Sequence, residues 1–169
     1  MPFYQFGQVL FLDKIATEDW VEYIISRFRK GGKDVSEELA RKICATVNNH
    51  SSYVQQLAWN LYAETDHVAT EDDLKAATAA LLAQNDSFFT EQIKPLSSYQ
   101  VNFLKAVCAG VHTGFTSEAV LTSWNIGAKS NVAVLKRALL NKELIEERGK
   151  EIHIADAVFE YWMKTRFRA

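Results

Sequence analysis

The chain has 169 residues, 48% of them apolar and 24% charged, with 7 Gly, 2 Pro and 2 Cys. That length suits one compact domain or two small ones whose core needs no disulfide or metal, and the composition excludes collagen-like, mucin-like and disordered chains. The net charge of −2 hides a division: residues 1–96 hold 9 Lys+Arg against 14 Asp+Glu, and residues 97–169 hold 10 against 7, so an acidic module precedes a mildly basic one.

Scarce Pro with abundant Ala, Leu, Glu and Lys predicts a mainly helical protein. The sequence has no apolar run near the roughly 20 residues that cross a bilayer and no charged-then-apolar leader, so a soluble, cytoplasmic protein without a membrane partner is expected. Pro2 to Leu12, rich in aromatic and apolar residues and closed by Asp13-Lys14, is predicted to be a lone strand or extended arm. A single apolar strand is an unpaired edge, which is odd for a complete domain.

Helices follow. Thr17 before Glu18 and Asp19 predicts a capped start, Trp20, Ile24, Ile25 and Phe28 recur at helical spacing, and Gly31-Gly32 stops the run. Ser36 caps a second helix carrying Leu39, Ile43 and Val47 and ending near Asn48-Asn49. A third begins at Ser51 or Ser52, with Ser52 and Gln55 at capping-box spacing, and presents Val54, Leu57, Ala58, Leu61 and Tyr62. Thr70 opens a fourth, longer helix, completing a helical bundle over residues 17–94. Lys94-Pro95-Leu96 then breaks the chain, and Ser97 with Gln100 restarts it with a capping box.

From residue 97 the order is a helix with Val101, Leu104, Val107 and Cys108, a short helix from Thr116 to Trp124, a turn at Asn125-Ile126-Gly127, and a helix from Ser130 to Asn141. Two short alternating runs, residues 144–147 and 151–154, meet at Arg148-Gly149-Lys150, where Gly149 suits a tight reversal. Three helices and a terminal hairpin are the order of a winged helix-turn-helix over residues 97–169, closed by an aromatic helix from Asp156 to Phe167.

Catalytic chemistry finds no support. Gly31-Gly32-Lys33-Asp34 lacks the Gly five positions upstream and the Ser or Thr of a phosphate loop, and it follows a helix rather than a strand. No Gly-x-Ser-x-Gly elbow or dinucleotide fingerprint occurs. Cys44 and Cys108 sit in apolar helical patterns, and His50, His67, His112 and His153 form no metal-ligand spacing, so no catalytic and no metal residue is assigned. In the winged helix, turning Val132, Leu135 and Leu139 inward turns Ser130, Val134, Arg137 and Asn141 outward. Arg137 and Asn141 could read base edges, and Lys129, Lys136, Arg148 and Lys150 could touch phosphates. Val134 in mid-face and the modest +3 charge suit packing on another protein surface instead, so a DNA or a protein partner stays open.

The succession of the Thr17 helix, Asn49-His50-Ser51-Ser52-Tyr53-Val54-Gln55-Gln56-Leu57, a winged helix and Ile154-Ala155-Asp156-Ala157-Val158-Phe159-Glu160-Tyr161-Trp162 resembles the C-terminal half of archaeal and bacterial STAND-like AAA-type ATPases, among them ATPases of Bacteroides-type bacteria. The resemblance implies a P-loop domain upstream, then a helical lid and a winged helix, with Walker A, Walker B and the sensor strand before Met1. The family's lid turn, Gly-x-Pro-Tyr-Tyr in type, lies near adenine; here Asn49 stands at the Gly, Ser51 at the Pro and Tyr53 at the second aromatic. The resemblance thus places Asn49, His50, Ser51 and Tyr53 near nucleotide. Asp156-Ala157 keeps the acid of a closing Asp-Pro and loses the Pro, while Phe159 and Trp162 match the aromatic positions. The implied role is regulatory and not catalytic alone, with ATP and Mg needed by the parent protein and its nucleotide-binding domain as partner. The alternative is a winged-helix DNA-binding regulator with a sensing or dimerising helical domain.

Overall fold

The computed structural model describes residues 14–167, which form eight α-helices and one two-stranded antiparallel hairpin. The arm predicted over Pro2 to Leu12 lies outside the described residues. The chain divides into two units at Leu74/Lys75, inside the fourth helix. Pro95 lies two residues beyond the end of that helix, which it cannot continue.

The first unit holds α1 (Thr17–Lys30), α2 (Glu37–Thr46), α3 (Ser51–Glu64) and the start of α4 (Glu71–Ile93). Trp20, Ile24 and Phe28 of α1, Leu39 and Ile43 of α2, and Val54, Leu57 and Leu61 of α3 are buried together at helical spacing. Each such side chain contributes about 1.5–3 kcal/mol relative to exposure. At the end of α1, Gly32 takes φ +77, and the amides of Gly32 and Lys33 bond the carbonyls of Arg29 and Phe28, the paired bonds of a Schellman stop. Lys33, the lysine of the rejected phosphate-loop reading, lays its amine on the carbonyls of Tyr62 (2.8 Å) and Thr65, a cation placed at the negative end of α3.

Two starts differ from the sequence expectation. Ala16, not Thr17, is the N-cap of α1, and the Thr17 hydroxyl instead accepts from Asn49 Nδ2 at 2.8 Å. The predicted Ser52/Gln55 capping box is absent from α3: His50 is its N-cap, the Ser52 hydroxyl meets His50 Nδ1 at 3.1 Å, and the Gln55 amide donates back to the Ser51 carbonyl. Ser36 caps α2 as expected, by accepting from Leu39 N.

The second unit contains the rest of α4, α5 (Ser98–Cys108), α6 (Glu118–Trp124), α7 (Val132–Asn141), β1 (Ile145–Arg148), β2 (Glu151–Ile154) and α8 (Ala157–Phe167). The capping box of Ser97 and Gln100 opens α5. Ser117 caps α6, two residues into the predicted span, and Asn125 in the left-handed region ends it. The helix predicted from Ser130 is preceded by a 3-10 turn, Lys129–Asn131, so α7 proper starts at Val132. Strands β1 and β2 pair Ile145 with Ile154 and Arg148 with Glu151, leaving Gly149 and Lys150 as a two-residue loop with φ +64 at the glycine. Ile152 N donates to the His112 carbonyl at 2.9 Å and His112 Nδ1 to the Ile152 carbonyl at 2.8 Å, which ties the segment after α5 to the hairpin. This order, helix, helix-turn-helix and wing, is a winged helix.

The closing helix α8 is capped by Asp156, whose Oδ1 accepts from Val158 N (2.7 Å) and Phe159 N (3.0 Å). Phe89 of α4 is fully buried against Phe159 and Trp162, at ring distances of 5.4 and 5.6 Å. Asp86 accepts from both Trp162 Nε1 (2.8 Å) and Arg166 (2.9 Å).

Candidate functional site

The turn before α3 is built by two asparagines. Asn48 and Asn49 have φ +49 and +54, left-handed values that asparagine tolerates better than other residues with a Cβ. Asn49 therefore reaches a conformation natural to the Gly of the resembling motif. Ser51 is the first residue of α3, where the motif's Pro would be favoured. Within the turn, Asn49 is half-buried and bonded to Thr17, and Tyr53 is buried. His50 is exposed, with its ring 4.8 Å from that of Tyr53. Of the four residues singled out, His50 presents its ring to solvent, Ser51 lies half-buried beside it, and Asn49 and Tyr53 brace them.

The second candidate surface is the outer face of the winged helix. Val132, Leu135 and Leu139 are buried, and Lys129, Ser130, Val134, Arg137, Asn141, Arg148 and Lys150 are all exposed. Lys129 and Ser130 belong to the 3-10 turn rather than to α7. Val134 is 56% exposed in the centre of this face. Two cations of the surface are neutralised locally: Arg148 pairs with Glu146 at 2.5 Å, and Lys136 pairs with Glu147, pinning the wing to α7. Lys129, Arg137 and Lys150 have no ion pair among the described residues. The helix α7 itself carries no acid.

Both cysteines are buried and unpaired, in line with their apolar helical surroundings. Burial pushes the Cys108 thiol up to about 12 and raises that of Cys44 as well, so neither is poised as a nucleophile.

A groove between α1 and α3, with Tyr23, Arg27 and Trp59 on its walls, was not pointed to by any motif. Its one sequence signal is positional: Trp59 lies off the stripe of Val54, Leu57 and Leu61, so a large aromatic is turned away from the core.

Comparison with known proteins covers both units. Residues 87–165 match a family model described as a probable winged helix domain, a span running from the last part of α4 into α8. A solved structure of the Walker-type ATPase of Pyrococcus abyssi superposes on 89% of this chain with a TM-score of 0.71 at 16% sequence identity. The matched part is 42% of that chain, so this sequence spans less than half of its structural neighbour. No curated protein matches the sequence. At this identity the likeness is one of fold.

Proposed function

We propose that this chain is the helical lid and winged-helix portion of a larger ATPase, a regulatory and interaction module that is not catalytic by itself. The observation that carries the reading is the superposition of nearly the whole chain on part of a Walker-type ATPase. The lid comprises residues 17–94 and the winged-helix domain residues 97–169, with residues 1–16 leading from a nucleotide-binding domain that is their natural partner. The turn at Asn49 to Tyr53 supports the reading, because Asn49 takes a left-handed backbone that a glycine would also take and α3 starts at Ser51, a position open to proline. His50 is the side chain that would lie by the base, held by Tyr53 and Ser52. ATP with Mg supplies phosphoryl chemistry in the parent protein; the described residues include no phosphate loop to receive it. The role fits a cytoplasmic protein, and no helix among the described residues is long and apolar enough to cross a membrane.

The winged helix in this reading packs on a protein surface and restrains or transmits lid closure. Exposed Val134 at the centre of the α7 face, and the pairing of Arg148 and Lys136 with Glu146 and Glu147, favour a protein partner over the phosphates of DNA. The unpaired Arg137, Lys129 and Lys150 favour the second reading, a DNA-binding regulator. Electrophoretic mobility of a duplex DNA library at low salt separates the two. No shift is expected; a shift with steep salt dependence that Arg137→Ala weakens would establish the second reading instead.

A further inference from the structure

We infer that His112 and His153 form an acid-released latch that holds the wing against the segment following α5. Ile145, Ile152 and Ile154 of the hairpin are buried on its inner face, so Glu146, Arg148, Glu151 and His153 share the outer one. The edge of β2 away from β1 is closed by one residue. His112 accepts from Ile152 N through its carbonyl (2.9 Å) and donates from Nδ1 to the Ile152 carbonyl (2.8 Å). Its ring also lies nearly flat on that of His153, with centroids 4.4 Å apart and planes 22° from parallel. His112 is half-buried and the His153 side chain is 21% exposed, so water screens the stack only in part.

The partners of each ring decide where its hydrogen sits and what a further proton does. A ring nitrogen facing a carbonyl or carboxylate carries hydrogen, so His112 bears it on Nδ1 and His153 on Nε2, which meets Glu151 Oε2 at 3.0 Å. Acid adds a proton to the other nitrogen of each ring. His153 takes its charge beside a carboxylate, and a cation over a neutral aromatic ring is a favourable contact. His112 has no carboxylate partner among the described residues, so a charge placed on it falls 4.4 Å from another cation.

The other charges nearby are engaged elsewhere. On β1, Glu146, the register partner of His153, pairs with Arg148, and Glu147 pairs with Lys136. On α5, which packs on β2, the Lys105 amine lies 4.3 Å over the Phe167 ring. On α8, which also packs there, Glu160 pairs with Lys164 and Arg166 with Asp86, while Asp156 before it accepts from backbone amides. Histidine changes charge between pH 5 and 8. At the top of that range the stack and both Ile152 bonds hold. At the bottom both rings are charged, the stack repels, and His112 leaves the edge of β2. The hairpin then keeps its tie to α7 through Lys136 and Glu147 but loses its tie to the segment after α5, which frees the wing to tilt.

The test is native-state hydrogen exchange of the nitrogen-15-labelled 169-residue chain, followed by NMR, with the Ile152 amide as reporter because its exchange requires the bond to His112 to open. Rates are divided by those of an unstructured peptide at the same pH. Protection of Ile152 should fall at least tenfold between about pH 7.5 and pH 5, while that of Leu104 in the body of α5 changes less than about twofold. His153→Phe keeps a ring for His112 to stack on and removes one charge, and His112→Gln removes the other. Each should reduce the acid effect on Ile152 to less than about twofold, whatever its protection at neutral pH. Glu151→Gln, which removes the carboxylate beside His153, should move the loss of protection to higher pH. Circular dichroism at neutral pH identifies the variants that fold. Ile152 protection independent of pH in the parent chain, or an acid effect that persists in either folded histidine variant, would overturn the proposal. So would a parallel loss at Leu104, which would assign the acid effect to unfolding of the whole unit.

Discussion

Replacing Gly31 by Ala tests how α1 and α3 are locked together. The backbone of Gly31, at φ −89 and ψ 6, is acceptable to alanine, so conformational preference alone predicts a gain of about 0.4–1 kcal/mol. The packing predicts the reverse. A Cβ at this position would stand 2.2 Å from Tyr62 Oη and 2.7 Å from two ring carbons, so the ring must swing away. Tyr62 then loses its hydrogen bond to the Gly31 carbonyl (2.8 Å), worth about 1 kcal/mol, and its edge contact with Phe28 (5.3 Å), worth about 0.5–1.5 kcal/mol. It also loses the Lys33 amine 4.4 Å above its ring, a further ~0.5–1 kcal/mol. The expected net destabilisation is about 1.5–2.5 kcal/mol. Gly32→Ala, with nothing near its Cβ but φ at +77, should cost only the left-handed strain of about 1 kcal/mol. Urea denaturation followed by circular dichroism ranks the two, and a cycle with Tyr62→Ala should show Gly31→Ala to be nearly harmless once the ring is gone. A larger loss from Gly32→Ala than from Gly31→Ala, or additive costs in the cycle, would refute this account of the α1–α3 contact.

Other positions give independent checks. Asn49→Gly should cost about 1 kcal/mol, the lost hydrogen bond to Thr17, because glycine adopts φ +54 freely, whereas Asn49→Ala loses the same bond and adds left-handed strain, for about 2–3 kcal/mol in the same denaturation assay. Asp156→Ala removes the acceptor for two amides at the start of α8 and should lower the stability of the second unit by about 1 kcal/mol, with Asp156→Ser recovering most of it. Cys108 should resist a thiol-exchange reagent at pH 8 until the chain is unfolded in urea. Its folded pKa, about 12, lies above the value near 8.5 of an unfolded chain. Its contribution to stability is therefore full below about pH 8.5 and lost as pH rises toward 12, which an alkaline denaturation series compared with Cys108→Ala would reveal.

The fold was legible where local chemistry decides it. Ser36, Ser97 and Asp156 cap helices that the sequence marks, because a short acceptor side chain before an apolar-periodic run has few other uses. The winged helix was legible because Asn125, Gly127 and Gly149 supply the positive φ values that its turns require. Thr17 and Ser52 misled because a distant or reversed partner takes their hydroxyls: Asn49, 32 positions away, occupies Thr17, and His50 takes Ser52. The turn before α3 was legible as a helix start, but sequence spacing gives no sign that Tyr53 is buried while His50 faces solvent. The α1–α3 groove was hidden for a similar reason, since Tyr23, Arg27 and Trp59, from two helices, converge only in three dimensions.

The central claim, that these residues regulate an ATPase without forming its catalytic centre, is tested most directly by phosphate release. The purified 169-residue chain is incubated with MgATP and free phosphate is followed against a buffer control and a heat-denatured control. The account predicts no turnover above the controls at any ATP concentration. Sustained hydrolysis at an ordinary enzymatic rate, of order 1 per second or faster, would contradict it.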